Sequence, residues 1–188
     1  MTEEKKGFRL DWATLKLAVI LFAFAAVVAI LLGPVNQVTS ERIAAFNAER
    51  TAAAMKAVLP AESYTRVEDS SAYKIDLVRD IYTADDKGWV VMVVPTGFGG
   101  ELEIAVGVDM AEEVTGVSII RMSETSGLGA NAHRESFRSQ FVGKSGVVAL
   151  KKHGGEIDAL TGATVTSTAV TNGLNAALAA VAELRREA

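Results

Sequence analysis

The chain has 188 residues, of which 49% are hydrophobic, and a formal net charge of −4 at pH 7. Such mild acidity argues against a nucleic-acid partner, which usually meets a basic surface. The sequence has no cysteine and two histidines, so it excludes intrinsic disulfides, zinc–thiolate sites and iron–sulfur clusters, and no metal site is expected. Any redox chemistry must therefore use a carrier that is bound through other groups.

The first predicted element is a membrane-spanning helix. Residues 17–32 contain no polar side chain, and the wider stretch 14–35 reaches the roughly 20 residues that cross a bilayer. The basic residues before it are Lys5, Lys6, Arg9 and Lys16, and the first basic residue after it is Arg42. By the positive-inside rule, residues 1–13 are expected in the cytoplasm. The sequence thus predicts a single-pass protein of the cell (inner) membrane, in contact with the lipid bilayer, whose remaining residues are extracytoplasmic or periplasmic.

Two other interpretations of this apolar stretch are weaker. A cleaved signal peptide would end in an A-x-A-like site, which "GPVNQVTS" at residues 33–40 lacks. A buried helix of a soluble domain is rarely apolar on all sides. Pro34 is expected where the membrane helix ends in water.

Residues 36–188 are enough for one domain. Its first element is a juxtamembrane helix at about 36–59, which is rich in alanine and ends before Pro60. Strands are then expected at 89–94, 101–109 and 114–122, with "MAEE" at 110–113 as the connecting turn between the last two. Alternating apolar and polar residues predict that strand 101–109 is half-buried.

The chain ends in a predicted amphipathic helix. Apolar residues recur there at helical spacing, at Val170, Leu174, Leu178, Val181 and Leu184. The fold class is therefore α+β: one N-terminal transmembrane helix is followed by a single domain with an antiparallel sheet and flanking helices.

The entrance to this last helix is unusually rich in hydroxyl groups. The stretch "DALTGATVTSTAVTNG", residues 158–173, holds Thr161, Thr164, Thr166, Ser167, Thr168 and Thr171. One helix cap needs one such residue, not six. Because a helix N-terminus has free N–H groups and a positive dipole end, the cluster suits a phosphate ester or another anion. The alternative is a helix cap that has more hydroxyl side chains than capping requires.

Other candidate chemistry is weaker. The glycine-rich loops "TGFGG" (96–100) and "SETSGLG" (123–129) match no nucleotide-binding fingerprint, and glycine lets the backbone approach a ligand closely. Ser71 and Lys74 form S-x-x-K, and "KSG" at 144–146 is similar to an element of penicillin-recognising enzymes, but a third element is missing. Both histidines are expected on the surface, and no catalytic residue is assigned.

"DALTGAT" at 158–164 resembles the D-x-x-[S/T]-G-A-T flavinylation motif of the FMN-binding domain family. "TGFGGELEIAVGVD" resembles the T-G-Y-G-G strand entry of that family, with Phe98 in place of tyrosine, and "SETSGLG" resembles its E-T-P-G-L-G loop, with Ser126 in place of proline. The order of these elements agrees across roughly residues 90–185, and the flavin-binding core is expected at about 88–188. In this family a flavin transferase uses FAD to esterify the phosphate of FMN to the last threonine of the motif, which is Thr164 here.

The resemblance also implies the remaining site residues. Those expected around the phosphate and the motif are Asp158, Thr161, Gly162, Ala163, Thr166 and Ser167. Those expected along the flavin ring are Glu124, Thr125, Gly127, Leu128 and Gly129. Covalent FMN is the implied cofactor.

The anchor and the juxtamembrane stretch "VNQVTSERI" resemble the G-subunit family of Rnf electron-transport complexes. This resemblance implies electron transfer between ferredoxin and NAD, coupled to sodium or proton transport, as one part of a translocase without independent activity. Its implied partners are the other membrane and peripheral subunits and the flavin transferase. The C subunit of the Nqr pump, a stand-alone flavin module for an extracytoplasmic reductase and a membrane-tethered, non-covalent phosphate-ligand binder stay open as alternatives.

Overall fold

A computed structural model describes residues 12–68 and 70–187 of the chain. The predicted cytoplasmic segment lies almost entirely outside the described residues, and so do Lys5, Lys6 and Arg9, on which its orientation depends. The chain divides into two compact units, Met1–Asn47 and Ala48–Ala188. Helix α1, Trp12–Val58, contributes residues to both.

In the first unit, α1 is long and apolar enough to cross a membrane. The span that satisfies this test is Thr14–Leu31, and none of it is buried. The expectation that the helix ends at Pro34 is wrong, because the helical backbone continues through Gly33 and Pro34. Proline removes one backbone hydrogen bond and opposes a helix by about 3 kcal/mol, so propensity at this point favoured an end that the longer helix does not make.

The second unit is built on a five-stranded antiparallel sheet. Its strands run in chain order β1 to β5: Tyr64–Arg66, Val78–Ala84, Gly88–Val93, Glu103–Asp109 and Val114–Arg121. Each strand pairs with the next one along the chain. The three predicted strands and the turn at 110–113 are confirmed, and β1 and β2 are additional to them.

Both faces of the sheet are covered. One face packs against α3, Thr164–Glu187, around Ile81, Val106 and Leu174. The other packs against the last turns of α1, around Met55 and Val58. The expectation of a half-buried β4 is therefore wrong: six of its seven residues are buried, because a helix covers the face that the alternation assigned to water.

The end of α1 lies directly on the backbone of β4 and β5. Gly107 and Gly116 are opposite each other in the sheet, and a Cβ atom on Gly107 would lie 2.6 Å from the Val58 carbonyl oxygen. The Thr115 hydroxyl donates to that same oxygen at 2.6 Å. The helix ends at Val58, just before Pro60, as predicted.

The C-terminal helix is confirmed as amphipathic. Val170, Leu174, Leu178 and Val181 are buried, and Leu184 packs against the same core at its edge. Short helical turns fill the connection from β5 to α3, at Gly129–His133, at Glu135–Arg138 (α2), at Ser139–Phe141 and at Lys151–His153. Together they carry the chain from the "SETSGLG" loop to the N-terminal end of α3.

Candidate functional site

A groove of about 370 Å³ lies at the N-terminal end of α3. This volume is within the range of small-molecule sites, roughly 300–1,000 Å³. Its walls come from the two glycine-rich loops and from the start of the helix. The lining residues are Phe98, Glu124, Thr125, Leu128, Gly129, Gly162, Ala163, Thr164, Val165 and Thr166.

The turn before α3 presents Thr164 to this groove. The Ala163 N–H donates to the Leu160 carbonyl oxygen at 3.0 Å, which closes a tight turn. Gly162 in this turn has φ +73°, a left-handed conformation that glycine adopts without steric cost. Ser167 fixes the turn from inside the helix: its Oγ donates to the Ala163 oxygen and accepts from the Leu160 N–H, both at 2.9 Å.

Three of the six hydroxyls of the stretch serve the helix itself. Ser167, Thr168 and Thr171 each donate to the carbonyl oxygen four residues earlier, at 2.8–2.9 Å. Such bonds satisfy short polar side chains inside a helix. Thr161 is exposed outside the groove. Only Thr164 and Thr166 of the six line the groove, so part of the cluster is satisfied by the helix backbone and part is a candidate ligand site.

Thr166 is the strongest sign of a ligand. Its side chain is 1% exposed, and its Oγ1 is the one buried side-chain oxygen or nitrogen without a hydrogen-bond partner in the described part of the chain. An unpaired buried hydroxyl costs about 1–3 kcal/mol. Thr166 lines the groove at the start of a helix, where backbone N–H groups lack intrahelical partners, and a polar ligand group that reached this oxygen would remove the penalty.

The opposite wall is formed by two loops that touch closely. Glu124 Oε1 accepts from the Phe98 N–H at 2.8 Å and from the Gly99 N–H at 3.3 Å. A Cβ atom on Gly99 would lie 2.0 Å from the Ser123 carbonyl oxygen, and one on Gly129 would lie 2.4 Å from Glu124 Oε2. Gly99 and Gly129 are thus explained by close approach of backbone and carboxylate, and Glu124 joins the loops into one wall.

The rim of the groove is apolar. Phe98, Leu128 and Val165 are 75%, 43% and 53% exposed, which is unusual for large apolar side chains that surround one cavity. A flat aromatic group bound between them would cover this surface. The groove therefore combines a helix N-terminus, which suits an anion, with an apolar border. This combination fits a molecule with a phosphate at one end and a ring system at the other.

Most of the predicted site residues meet in this groove, but four do not line it. Asp158 is exposed, where its carboxylate accepts from Lys151 Nζ at 2.7 Å and its N–H donates to Gln140. Gly127 has φ +78° and shapes the loop behind Leu128. Thr161 is exposed, and Ser167 is buried and engaged with the backbone. These four residues therefore lie outside the lining of the groove.

Val165 and Phe98 line the groove and were absent from the predicted set. The hydroxyl pattern gives Val165 no distinguishing signal, since it is an apolar residue between two threonines. Phe98 stands in the recognised "TGFGG" loop, so its place in the motif could have identified it.

The S-x-x-K pair lies elsewhere in the fold. The Ser71 hydroxyl donates to Glu183 at 2.9 Å, and its N–H donates to Glu187. Both carboxylates are on the last turns of α3, and Glu183 is 19 residues, roughly 30 Å of helix, from Thr164. Within the described residues, no group of three or more His, Asp or Glu side chains could hold a metal ion.

Two protein families match parts of the chain. The FMN-binding domain matches residues 97–179, which include both loops and the start of α3, and the RnfG N-terminal region matches residues 7–58. A solved structure, the C subunit of the Na(+)-translocating NADH-quinone reductase from Parabacteroides distasonis, superposes with a TM-score of 0.49 at 20% identity, over 68% of this chain and 78% of that one.

Similar proteins are subunits of ion-translocating oxidoreductase complexes. The G subunit of the Na(+)-translocating ferredoxin:NAD(+) oxidoreductase complex of Acetobacterium woodii is 34% identical over 92% of this chain and 94% of its own length. The G subunit of the proton-translocating complex of Clostridium ljungdahlii is 41% identical over 60% and 65%. The G subunit of the ion-translocating oxidoreductase complex of Escherichia coli is 32% identical over 86% and 88%. The chain therefore belongs to the G-subunit family of Rnf-type complexes: it is an FMN-binding, electron-transferring subunit of a membrane-associated, ion-translocating oxidoreductase, and its partners are the other subunits of that complex.

Proposed function

We propose that this chain carries FMN as a phosphoester on Thr164. The observation that supports the proposal is the position of Thr164: it is the first residue of α3, it lines the groove, and the unpaired hydroxyl of Thr166 is two residues away. A covalent bond keeps a cofactor in a groove that is open to solvent. The motif resemblance selects Thr164 over the other hydroxyls of the stretch.

The attachment is a phosphoryl transfer from FAD. The Thr164 oxygen would form a new bond to the FMN phosphorus of FAD, the bond to the AMP phosphate would break, and AMP and the hydroxyl proton would be released. The overall products are the FMN ester and AMP, so the step needs no oxidant or reductant. It requires a flavin transferase, which we include among the partners.

The groove residues would hold the phosphate and the ring in distinct places. The N–H groups at the start of α3 and the helix dipole would stabilise a phosphate on Thr164, and the unpaired hydroxyl of Thr166 belongs to the same groove lining. Glu124 fixes the facing loop, and Phe98, Leu128 and Val165 would shield the flavin ring from water. The flavin supplies electron transfer in single steps, while the protein fixes its position and its surroundings.

Within the complex, we propose that electrons pass through this site between ferredoxin and NAD, with coupled transport of sodium ions or protons. One similar G subunit comes from a complex named for sodium-ion transport and another from a complex named for proton transport. The match of residues 7–58 to the RnfG N-terminal region supports this role over an Nqr-type C subunit or a stand-alone flavin module.

We further propose a single-pass arrangement. The apolar span Thr14–Leu31 would cross the lipid bilayer within the predicted limits 14–35, residues 1–13 would lie in the cytoplasm, and residues 36–188 would lie on the other side. The basic residues ahead of the span support this orientation. A cysteine introduced at Glu156, an exposed residue, should react with a membrane-impermeant thiol reagent in intact cells, and a lack of reaction in that assay would contradict the orientation.

The decisive experiment is the intact mass of the denatured chain from its native host, with fluorescence of the gel band under ultraviolet light. We expect a mass increase of one FMN less one water, on the peptide that contains Thr164. An unmodified mass, from a host that has the transferase, would contradict the ester and favour a reversible phosphate-ligand site in the same groove.

A further inference from the structure

Glu103, the first residue of β4, is the one charged residue that is buried in the described part of the chain, with 9% of its surface exposed. Its carboxylate forms ion pairs with Arg79 of β2 and, at 3.2 Å, with Arg121 of β5. A buried carboxylate must be paired, but a buried ion pair rarely makes a fold more stable than apolar residues of similar size would. Stability alone therefore does not explain why a glutamate lies here.

The Glu103–Arg121 pair lies where both loops of the groove at the start of α3 leave the sheet. The two residues are opposite each other at the end of the β4–β5 ladder. The "TGFGG" loop, residues 96–100, ends three residues before Glu103, and the "SETSGLG" loop, residues 123–129, begins two residues after Arg121. The ion pair therefore joins the two strands just before the chain enters the walls of the groove.

Both arginines that bind this carboxylate stand at β-bulges. The β4–β5 register shifts beside Glu103, where Ile120 is an extra residue in β5, directly before Arg121. The β2–β3 register also shifts, and Arg79 is the extra residue in β2. A bulge redirects the side chains next to it and is common beside functional sites. Here two bulges bring two guanidinium groups to one carboxylate.

Loss of the β5 bulge would displace the "SETSGLG" loop. In a regular ladder Glu103 would be opposite Ile120, and Arg121 would be opposite Leu102, which is fully buried in the core. A slip of one residue turns the following side chains of a strand to the other face. Glu124 is three residues beyond Arg121 and accepts from two N–H groups of the "TGFGG" loop, so a slip would break the link between the loops.

We propose that Arg79, Glu103 and Arg121, which we term the Glu103 cluster, fix the bulged register of β5 and thereby position the "SETSGLG" loop as a wall of the groove. A buried ion pair in this role specifies one register among alternatives. None of the three residues lines the groove, whereas Glu124 and Leu128 do, so the cluster acts through the loop. The inference rests on the proposed function only in naming FMN as the occupant of the groove.

Amide hydrogen exchange of the full chain, prepared without flavin, tests the positioning. In Arg121→Gln, we expect the amides of residues 123–129 to exchange at least about tenfold faster than in the wild-type chain, while the amides of α3 keep their rates. Asp80→Asn is the matched control, because Asp80 pairs only with Arg66 and Arg79 and touches neither loop-bearing strand. Unchanged exchange in Arg121→Gln, or equal acceleration in Asp80→Asn, would overturn the proposal.

An apolar replacement separates register from stability. The double variant Glu103→Met/Arg121→Met removes both charges of the pair, so its urea midpoint should stay close to that of the wild-type chain. The amides of residues 123–129 should nevertheless exchange at least about tenfold faster, because nothing then favours the bulged register. Loop exchange as slow as in the wild-type chain would show that the charges have no part in positioning the loop.

The flavin-loaded chain gives a readout that a purely structural role would not move. Acrylamide is a neutral quencher, so a change of charge does not alter its approach. We expect it to quench native flavin fluorescence about twofold more strongly in Arg121→Gln than in the wild-type chain, and less so in Arg121→Lys, which keeps the charge. Equal quenching in all three chains would contradict the proposal. Absence of flavin from the wild-type chain would contradict the proposed function instead, and the exchange measurements would still stand.

Discussion

The two ends of helix α3 use similar residues in opposite ways. At the C-terminal end, the Ser70 and Ser71 hydroxyls donate to Glu187 at 2.8 Å and to Glu183 at 2.9 Å. The Ser71 N–H donates to Glu187 as well. Each serine there has a carboxylate partner from the protein itself, so that end of the helix is complete without a ligand.

At the N-terminal end, the hydroxyl of Thr166 is buried without a partner, and Thr164 lies beside it at the groove. No acidic residue occupies the first turn of α3, although a negative charge there would be stabilised by the helix dipole. The comparison shows that a hydroxyl cluster alone does not identify a site. What distinguishes the N-terminal end is that its polar groups lack the counter-charge that the other end contains.

The largest expected effect is at Thr164. Thr164→Val keeps the size and the β-branching of the side chain and removes the oxygen that would form the ester, so we expect complete loss of covalent flavin. Stability should change by no more than about 0.5 kcal/mol, since the residue is half-buried at a helix end. Intact mass and thermal unfolding measure the two quantities.

Thr168→Val is the matched control for that experiment. Thr168 belongs to the same cluster, but its hydroxyl donates to the Thr164 carbonyl oxygen, so flavin attachment should be normal. A flavin mass that persists in Thr164→Val would move the attachment to another hydroxyl, with Thr166 the first to examine.

Ser167 should have the next largest effect, through the turn it holds. Ser167→Ala removes two hydrogen bonds at 2.9 Å and leaves the Leu160 N–H without its partner, which we expect to cost about 1–2 kcal/mol of unfolding free energy. Flavin attachment should become slower, because the turn that presents Thr164 is less firmly held. Urea unfolding and the rate of flavin incorporation check both.

Thr168→Ala separates this effect from the general loss of a hydroxyl in the helix. It removes one hydrogen bond from the side chain to the helix backbone at a half-buried position, and we expect the unfolding free energy to change by no more than about 0.5 kcal/mol. Equal destabilisation by the two variants would show that Ser167 has no special part in holding the turn.

Thr166→Val should have opposite effects in the two forms of the protein. Without flavin, the variant loses an unpaired buried hydroxyl and should be more stable by about 1 kcal/mol. With flavin, it should gain less stability from the cofactor than the wild-type chain does, because the hydroxyl then has a partner. Thermal unfolding of the chain from hosts with and without the transferase checks the sign. Destabilisation of the flavin-free form would contradict the view that this hydroxyl has no hydrogen-bond partner until a ligand binds.

Part of this fold could be predicted from the sequence. The apolar spacing from Val170 to Leu184 predicted α3, and the strands around Val91 and Val106 were recognisable because they are apolar and bounded by turns. Strand β4 was expected to be half-buried because its alternate residues are small or polar, and only the structure shows that the helix before Pro60 lies on Gly107. Helix packing over a glycine leaves no periodic signal in the strand.

For the site, the motif located the groove but did not sort its hydroxyls. Ser167 and Thr166 are adjacent and chemically alike, yet one is bonded to the backbone twice and the other is unpaired. Their difference depends on which side of α3 faces the turn at Leu160. That orientation is set by the core packing of the whole helix, which a local motif does not contain.

The smallest expected effect is at the C-terminal end of α3. Hydrogen bonds from Ser71 and Ser70 lower the pKa of Glu187 below its usual value. A carboxylate whose pKa is lowered by folding contributes stability above its unfolded pKa and loses it as the pH falls through the folded pKa. Glu187→Gln should therefore be slightly destabilising at pH 7, and the difference from the wild-type chain should vanish in acid.

Thermal unfolding between pH 7 and about pH 3 measures this convergence. A penalty that stays constant over that range would show that Glu187 acts through packing and not through its charge. Flavin attachment at the other end should be unaffected at every pH where the chain is folded, because the carboxylates at the C-terminal end bond only to groups far from the groove. If Glu187→Gln did reduce flavin attachment, the two ends of α3 would be coupled through the helix, and the N-terminal end could no longer be treated as a separate ligand site.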